Sequence, residues 1–457
     1  MTRDGATPIP TTTRTTGVHG VPTRGWRAAL DVVALAQRWG TWLVAAYLAC
    51  IVLATTLGLD FDPSLVDAWY RLQRALHPHV RARDLVDAAR NVALFAGLGA
   101  TMALVTRPPA GRRIIVIATL VGLVASTSVE TVQLFSHRRF ASIIDVATNT
   151  LGALLGATVI VLLERRARTD IRGGTLLGVP AWFAAGALWT ACVGLAYAPI
   201  SRQGGTSVWG ESPLVRLAAV RALPPINGSG MSYLPDAISF AALGLLVAVA
   251  VEDRAGRIRW PQFAAWLSLL AGLVLGMPVL RGLVGVRHDA IAPWVHGVAL
   301  AGGLLAALTL VPAWRRAVPA AGARSVQVAL VGCALLALWN WWPALWVSAS
   351  SAGLGWRQLV PMLSLYQRDD MASVFLVLQK AGLGALLGAC VAGRRASGLD
   401  QPGLRAIALV ALAVELGQLL VPGRYPDITD VLMVTGGGAV TLTVALRAVA
   451  VAAPRRR

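Results

Sequence analysis

Residues 91–105 read NVALFAGLGATMALV, and residues 376–390 read LVLQKAGLGALLGAC. Both are apolar runs, and both carry AGLGA, at Ala96–Ala100 and at Ala381–Ala385. Similar runs of about 18–24 residues, the length that crosses ~30 Å of hydrocarbon, recur along the chain. They lie near 41–59, 87–106, 114–134, 142–163, 178–199, 236–251, 261–280, 290–312, 326–348, 371–392, 404–421 and 428–449. The reading is an all-α, polytopic membrane protein with about twelve transmembrane helices.

The composition agrees. Of 457 residues, 56% are hydrophobic and 14% charged, against about 25% charged in an average soluble domain. The mean hydropathy is +0.64. Disorder, collagen and a small disulfide scaffold are excluded by this balance, and a soluble enzyme is strongly disfavoured. The net charge of +19 comes almost entirely from arginine. A charge of this size in a soluble protein points to nucleic acid. Here most arginines lie between apolar runs, the pattern of cytoplasmic loops, so no nucleic-acid partner is expected. With the amino terminus inside, every inner connection is basic: Arg107/Arg112/Arg113, Glu164–Arg172, Glu252–Arg259, Arg315/Arg316/Arg324 and Arg394/Arg395. Both termini are therefore expected in the cytoplasm. Trp339, Trp341, Trp342 and Trp346 read as an interfacial belt at an outer helix end.

The AGLGA match extends without a gap over about seventy positions. Arg83-Asp84 falls on Arg368-Asp369. Glu130, Gln133, Leu134 and Arg139 fall on Glu415, Gln418, Leu419 and Arg424. Ile143, Asp145, Val146 and Gly152 fall on Ile428, Asp430, Val431 and Gly437. A fainter copy lies between: Phe95, Gly99 and Gly152 are matched by Phe240, Gly244 and Gly297, and Asn91 by Asp236. There Glu130, Gln133 and Asp145 become Leu275, Pro278 and Ala290, so the middle copy keeps the framework without the polar set. The chain divides into a tail (1–38), three four-helix units (39–168, 169–318, 319–450) and a basic tail (451–457). Four helices return each unit to its starting side, so the copies are parallel repeats.

Unit one carries polar residues where they cost energy. Asp87 and Asn91 open its second helix, Glu130 and Gln133 close its third, and Asp145 and Asn149 open its fourth. Arg138 and Arg139 lie in the outer turn. The set converges on the outer third of the membrane. It reads either as an outward-facing pocket or as a polar clamp locking three helices. Unit three keeps Glu415, Gln418, Arg424 and Asp430 as partial equivalents. Lys380 stands mid-helix where unit one has Phe95. A buried lysine needs an acid or a water path, with Asp369, Asp370 and Glu415 as candidates, and marks possible transport coupling. Cys50, Cys192, Cys333 and Cys390 form no CxxC pair and read as packing residues. His77, His79, His288 and His296 lack metal-ligand spacing, so neither metal nor cofactor is expected. Gly244, Gly272, Gly276, Gly384 and Gly388 read as packing contacts.

The order Asp87-x3-Asn91-x3-Phe95-x3-Gly99, Glu130-x2-Gln133, an arginine, then Asp145-x3-Asn149-x2-Gly152 resembles the VanZ-like family, named for a membrane protein linked to teicoplanin resistance. The match covers residues 83–163 well and 368–445 in part, where Asp87, Asn91 and Asn149 become Ala372, Leu376 and Val434. The resemblance implies a multi-pass protein of the bacterial inner (cytoplasmic) membrane affecting the cell envelope or glycopeptide susceptibility. It implies no mechanism. The expected partners are the lipid bilayer and an envelope lipid or glycan, held by the unit-one residues. A transporter or flippase, and an enzyme with Glu130 or Asp145 as base, are the alternatives. No nucleophile, metal or cofactor motif supports the enzyme.

Overall fold

The computed structural model describes residues 38–56, 60–77, 82–106, 111–137, 141–172, 178–197, 233–251, 258–283, 291–317, 321–341, 372–396, 403–421 and 426–452. Among these residues there is no strand. The helices are α1 (Gly40–Thr56), α2 (Leu65–Leu76), α3 (Ala82–Val105), α4 (Arg112–Gln133), α5 (Ile143–Arg172), α6 (Gly178–Tyr197) and α7 (Leu234–Val251). They continue as α8 (Trp260–Leu283), α9 (Ala292–Ala317), α10 (Ala321–Trp341), α11 (Ala372–Ala396), α12 (Leu404–Gly417) and α13 (Ile428–Ala452). A helix occupies each of the twelve apolar segments. Eight of them (α3, α4, α5, α7, α8, α9, α11 and α13) are long and apolar enough to cross a membrane. The apolar parts of α1, α6 and α10 are shorter. α12 has 14 residues before a single 3-10 turn, Gln418–Leu420.

α2 is an element the apolar runs do not reveal. Ser64 caps it, its hydroxyl accepting from the Asp67 N–H at 3.3 Å. Leu65, Val66, Trp69 and Tyr70 are exposed, while Ala68 and Ala75 are buried. A short amphipathic helix of this kind suits the plane of a membrane interface.

The interior combines alanines with large side chains such as Phe95, Leu98, Leu188 and Phe240, while many other large apolar side chains face outward. Ala118, Ala153, Ala157, Ala185 and Ala191 are buried, whereas Val116, Val124, Leu275, Val298, Leu305, Leu330 and Leu409 are exposed. In lipid a leucine gains little by turning inward, so helices associate through close backbone packing. Hydroxyls on these helices donate back along their own helix, as Ser128 does to Val124 O and Thr131 to Thr127 O. No water is then needed to satisfy them.

Four helix pairs pack most closely: α3 with α5, α6 with α11, α11 with α13, and α7 with α9. In each, glycine lets one backbone touch the other. A side chain at Gly99 would strike the Ala153 carbonyl, one at Gly156 the Ala96 carbonyl, and one at Gly303 the Ala241 carbonyl. In α11 and α13 the clashes are Gly384 with Val434 O and Gly437 with Ala381 O. Gly99 and Gly384 are counterparts at the 285-residue offset, yet their partners are not. The counterpart of Ala153 is Gly438, four residues past Val434. The α11–α13 pair is therefore slid by one helical turn, about 6 Å, relative to α3–α5.

The pairs are tied together. α6 lies between α7 and α11, with Gly194 against the backbone at Phe375 and Gln379, and Gly382 against Ala187 and Ala191. The Tyr197 ring stacks on Phe375, and its hydroxyl donates to Leu273 O at 3.1 Å. α5 packs on α13. At that contact Arg447 is 1% exposed and Glu164 0%. Arg447 Nε donates to Glu164 Oε1 at 3.3 Å, and Nη1 donates to Leu104 O and to Thr106 O, the latter at 2.6 Å.

Two expectations are corrected. Trp339 is buried and Trp341 packs on Gly417, donating from Nε1 to Val414 O at 3.0 Å. These two rings fill space between helices instead of forming a belt. Trp342 and Trp346 lie outside the described residues. Gly272 faces open space, so it is not a packing contact, whereas Gly244, Gly384 and Gly388 meet backbone and Gly276 meets the Tyr197 hydroxyl.

Candidate functional site

Two polar clusters stand at corresponding helix ends, one on α1, α3, α4 and α5, the other on α10 to α13. Their shared feature is a carboxylate closing the third helix of the unit. Glu130 Oε2 accepts from the Ser142 N–H at 2.8 Å, and Glu415 Oε2 from the Asp427 N–H at 3.2 Å. Ser142 and Asp427 are counterparts, and each also accepts two residues on: Ile144 N–H to Ser142 Oγ, Thr429 N–H to Asp427 Oδ1. The first N–H groups of a helix lack intrahelical acceptors, and negative charge is stabilised there. Both acids therefore dock one helix end onto the start of the next.

The amides repeat the scheme with variation. Gln133 Nε2 donates to the Thr55 carbonyl at 3.4 Å. Gln418 Nε2 donates to Asn340 Oδ1 at 3.0 Å and to Glu415 Oε2 at 2.9 Å. Thr55 and Asn340 are again counterparts. Asn149 Nδ2 donates to Ser126 Oγ at 2.8 Å, joining α5 to α4. Unit three has Val434 and Ala411 at these two places. Asn149→Val should therefore cost about 0.6–1.7 kcal/mol, the range of hydrogen bonds between membrane helices. Asn149→Val with Ser126→Ala should recover most of it, because neither partner is then left unsatisfied. Thermal unfolding in detergent checks both.

The one-turn slide shows in the remaining pairs. Asn91 Nδ2 donates to Asp145 Oδ1 at 2.8 Å. The counterpart Asp430 passes Leu376 and meets Lys380, Oδ2 to Nζ at 2.7 Å. Lys380 also faces Glu415 Oε1 at 3.5 Å and donates to Asn340 Oδ1. Of the acids named for it in the sequence, Glu415 is a partner, and Asp369 and Asp370 lie outside the described residues. Asp87 is exposed and pairs with Arg90 at 3.4 Å. The structure thus divides the unit-one set. Asn91 joins Asp145, Asn149 joins Ser126, Gln133 joins α1, and Glu130 joins the start of α5. Arg138, Arg139 and Arg424 lie outside the described residues, as do His79 and His288.

The middle unit is not empty of polar contacts, as its aligned positions imply. His296 is buried, its Nε2 lies 3.0 Å from Asp236 Oδ2, and its ring stacks on Phe240 at 4.2 Å. The partner of His296 is the aspartate matched to Asn91.

A third cluster escaped the sequence reading. Arg71 of α2 donates to the Leu134 carbonyl (2.9 Å) and to Asp62 Oδ2 (3.1 Å), and its Nη2 lies 2.8 Å from His137 Nδ1. His137 Nε2 lies 3.1 Å from Asp62 Oδ2. A bridge pairs Phe61 with Ser136, and the Phe61 and Phe135 rings stack. α2 is thereby pinned to the turn between α4 and α5. The Ser64 N–H, then Arg71 and His137, hold the Asp62 carboxyl below the usual carboxylate range against a smaller desolvation effect. A depressed folded pKa adds stability above the unfolded value, lost as pH falls through the folded one. Wild type should therefore melt above Asp62→Asn at neutral pH. The gap should close in acid, below about pH 4, as melting curves across pH would show.

A family model described as VanZ/LLP1 matches residues 43–164 and 300–449, as two copies. No curated protein matches the chain, and no solved structure does.

Proposed function

The chain belongs to the VanZ/LLP1 family, and from that premise we propose a multi-pass protein of the bacterial cytoplasmic membrane that binds an anionic cell-envelope lipid or glycan precursor at its outer edge and alters teicoplanin susceptibility. In this reading twelve helices cross as three parallel units, 39–168, 169–318 and 319–450, with both tails in the cytoplasm. The arginine-rich connections support that orientation.

The observation that carries the reading is α2. Its exposed Leu65, Val66, Trp69 and Tyr70 suit the headgroup layer. Arg71 fastens it to the Leu134–His137 turn, which runs in sequence directly into Arg138 and Arg139. Arginine recognises phosphate and carboxylate through paired hydrogen bonds. The network of Asn91, Glu130, Gln133, Asp145 and Asn149 then acts as the scaffold beneath that edge, and Asp87 with Arg90 borders it. Glu415, Gln418, Arg424 and Asp430 form the corresponding scaffold in unit three.

Native mass spectrometry of the detergent-purified protein tests this. Wild type should retain an anionic lipid or lipid-linked glycan. Arg139→Ala should weaken retention at least about tenfold, the worth of one hydrogen bond to a charged group, with an unchanged unfolding temperature. A wild type carrying no such adduct, or an Arg139→Ala variant retaining it in full, would sink the reading.

A further inference from the structure

Lys380 is the single lysine of the chain, and with Asn340, Glu415 and Gln418 it is buried between helices. Its three ammonium protons have three acceptors: Asp430 Oδ2 (2.7 Å), Glu415 Oε1 (3.5 Å) and Asn340 Oδ1. Glu415 Oε2 is held in turn by Gln418 Nε2 and the Asp427 N–H. With every group ionised, one ammonium faces two carboxylates, a net charge of −1. An uncompensated charge among membrane helices is costly, so the site favours one more positive charge. A metal cation has no place there, because Nζ already occupies the point between the carboxylates. An anion is repelled by both acids.

We infer that the cluster of Lys380, Glu415, Asp430 and Asn340 is a proton-binding site, taking up one proton per chain between Glu415 and Asp430. The proton comes from water, a carboxylate becomes a carboxyl group, and the site passes from −1 to neutral. Asp430, at 27% side-chain exposure against 6% for Glu415, is the entry. Among the described residues the elements packed on α11 bring no other charge to it. α13 brings Asp430 and α12 brings Glu415. The turn between them brings Asp427, bonded to Glu415 through its N–H. α10 brings the neutral Asn340, and α6 brings Tyr197, whose hydroxyl is bonded to Leu273 O. Unit one has Phe95 where Lys380 stands, so the site belongs to unit three alone. It does not depend on envelope-ligand binding. Uptake and release loosen and re-form the ion pair between Lys380 on α11 and Asp430 on α13.

Infrared difference spectroscopy of the full-length protein in nanodiscs, between acid and alkaline pH, tests the assignment. Wild type should show a protonated-carboxyl band that titrates and that Glu415→Gln with Asp430→Asn removes. Lys380→Met leaves two carboxylates and no cation, so its midpoint should rise by at least about one pH unit. If that variant does not fold, Asp430→Asn serves. Its site is neutral when ionised, so the midpoint should fall. An identical spectrum in wild type and the double variant would overturn the proposal, as would a midpoint that neither single variant moves. A midpoint moved by sodium at constant ionic strength would replace the proton with a metal cation.

Discussion

Arg447→Met is expected to destabilise the protein by about 3–5 kcal/mol, the cost of removing one partner from a buried ion pair. Arg447 is the largest fully buried side chain among the described residues. Its guanidinium joins three elements at once: Glu164 on α5 and the carbonyls of Leu104 and Thr106 at the end of α3, all from α13. Methionine fills much of the same volume and supplies no donor. Arg447→Lys should lose almost as much, because one ammonium cannot span the fork that a guanidinium spans. Glu164→Met with Arg447→Met should recover a large part of the loss, since an apolar pair in place of a buried ion pair is often neutral or better. Unfolding of wild type, Arg447→Met, Glu164→Met and the double variant in one detergent, scored as a double-mutant cycle, measures the coupling. Additive losses would mean that the two side chains do not act as a pair.

Two neighbouring glycines give the second large effect and its own control. Gly437→Ala places a methyl against the Ala381 carbonyl of α11, whereas a methyl at Gly436 meets open space. The first change forces α11 and α13 apart and should cost about 1–3 kcal/mol, the usual penalty of overpacking. The second should be neutral or slightly stabilising, because alanine is the better helix former. The volume added is the same, so a difference in melting temperature isolates the helix contact. Equal effects would show that α11 and α13 do not meet as described.

Much of the fold is legible in the sequence because lipid leaves a helix few alternatives. Each apolar run found by length holds a helix among its described residues. α2 was missed because its 12 residues, with Arg71 and Arg74 among them, are too few and too charged to read as a crossing. The 285-residue offset pointed to Glu130 and Glu415 but not to their work. Their acceptor roles involve backbone N–H groups at Ser142 and Asp427, which no side-chain pattern records. Asn340 was within reach, as the counterpart of Thr55 in the first unit. The axial slide was not, because sequence alignment fixes which residues correspond and leaves open how far one helix travels past another. That slide decides that Asp430 meets Lys380. Arg447 carried a signal that went unused, an arginine inside the apolar run 428–449. Its partner lies 283 positions earlier, beyond any local pattern.

That separation bears on biosynthesis. The α3–α5 pair enters the membrane long before Arg447 has been translated. At about 5–20 residues per second, the ion pair with Glu164 waits roughly 15–60 s to close. Until then the end of α3 and α5 lack the guanidinium that joins them to α13.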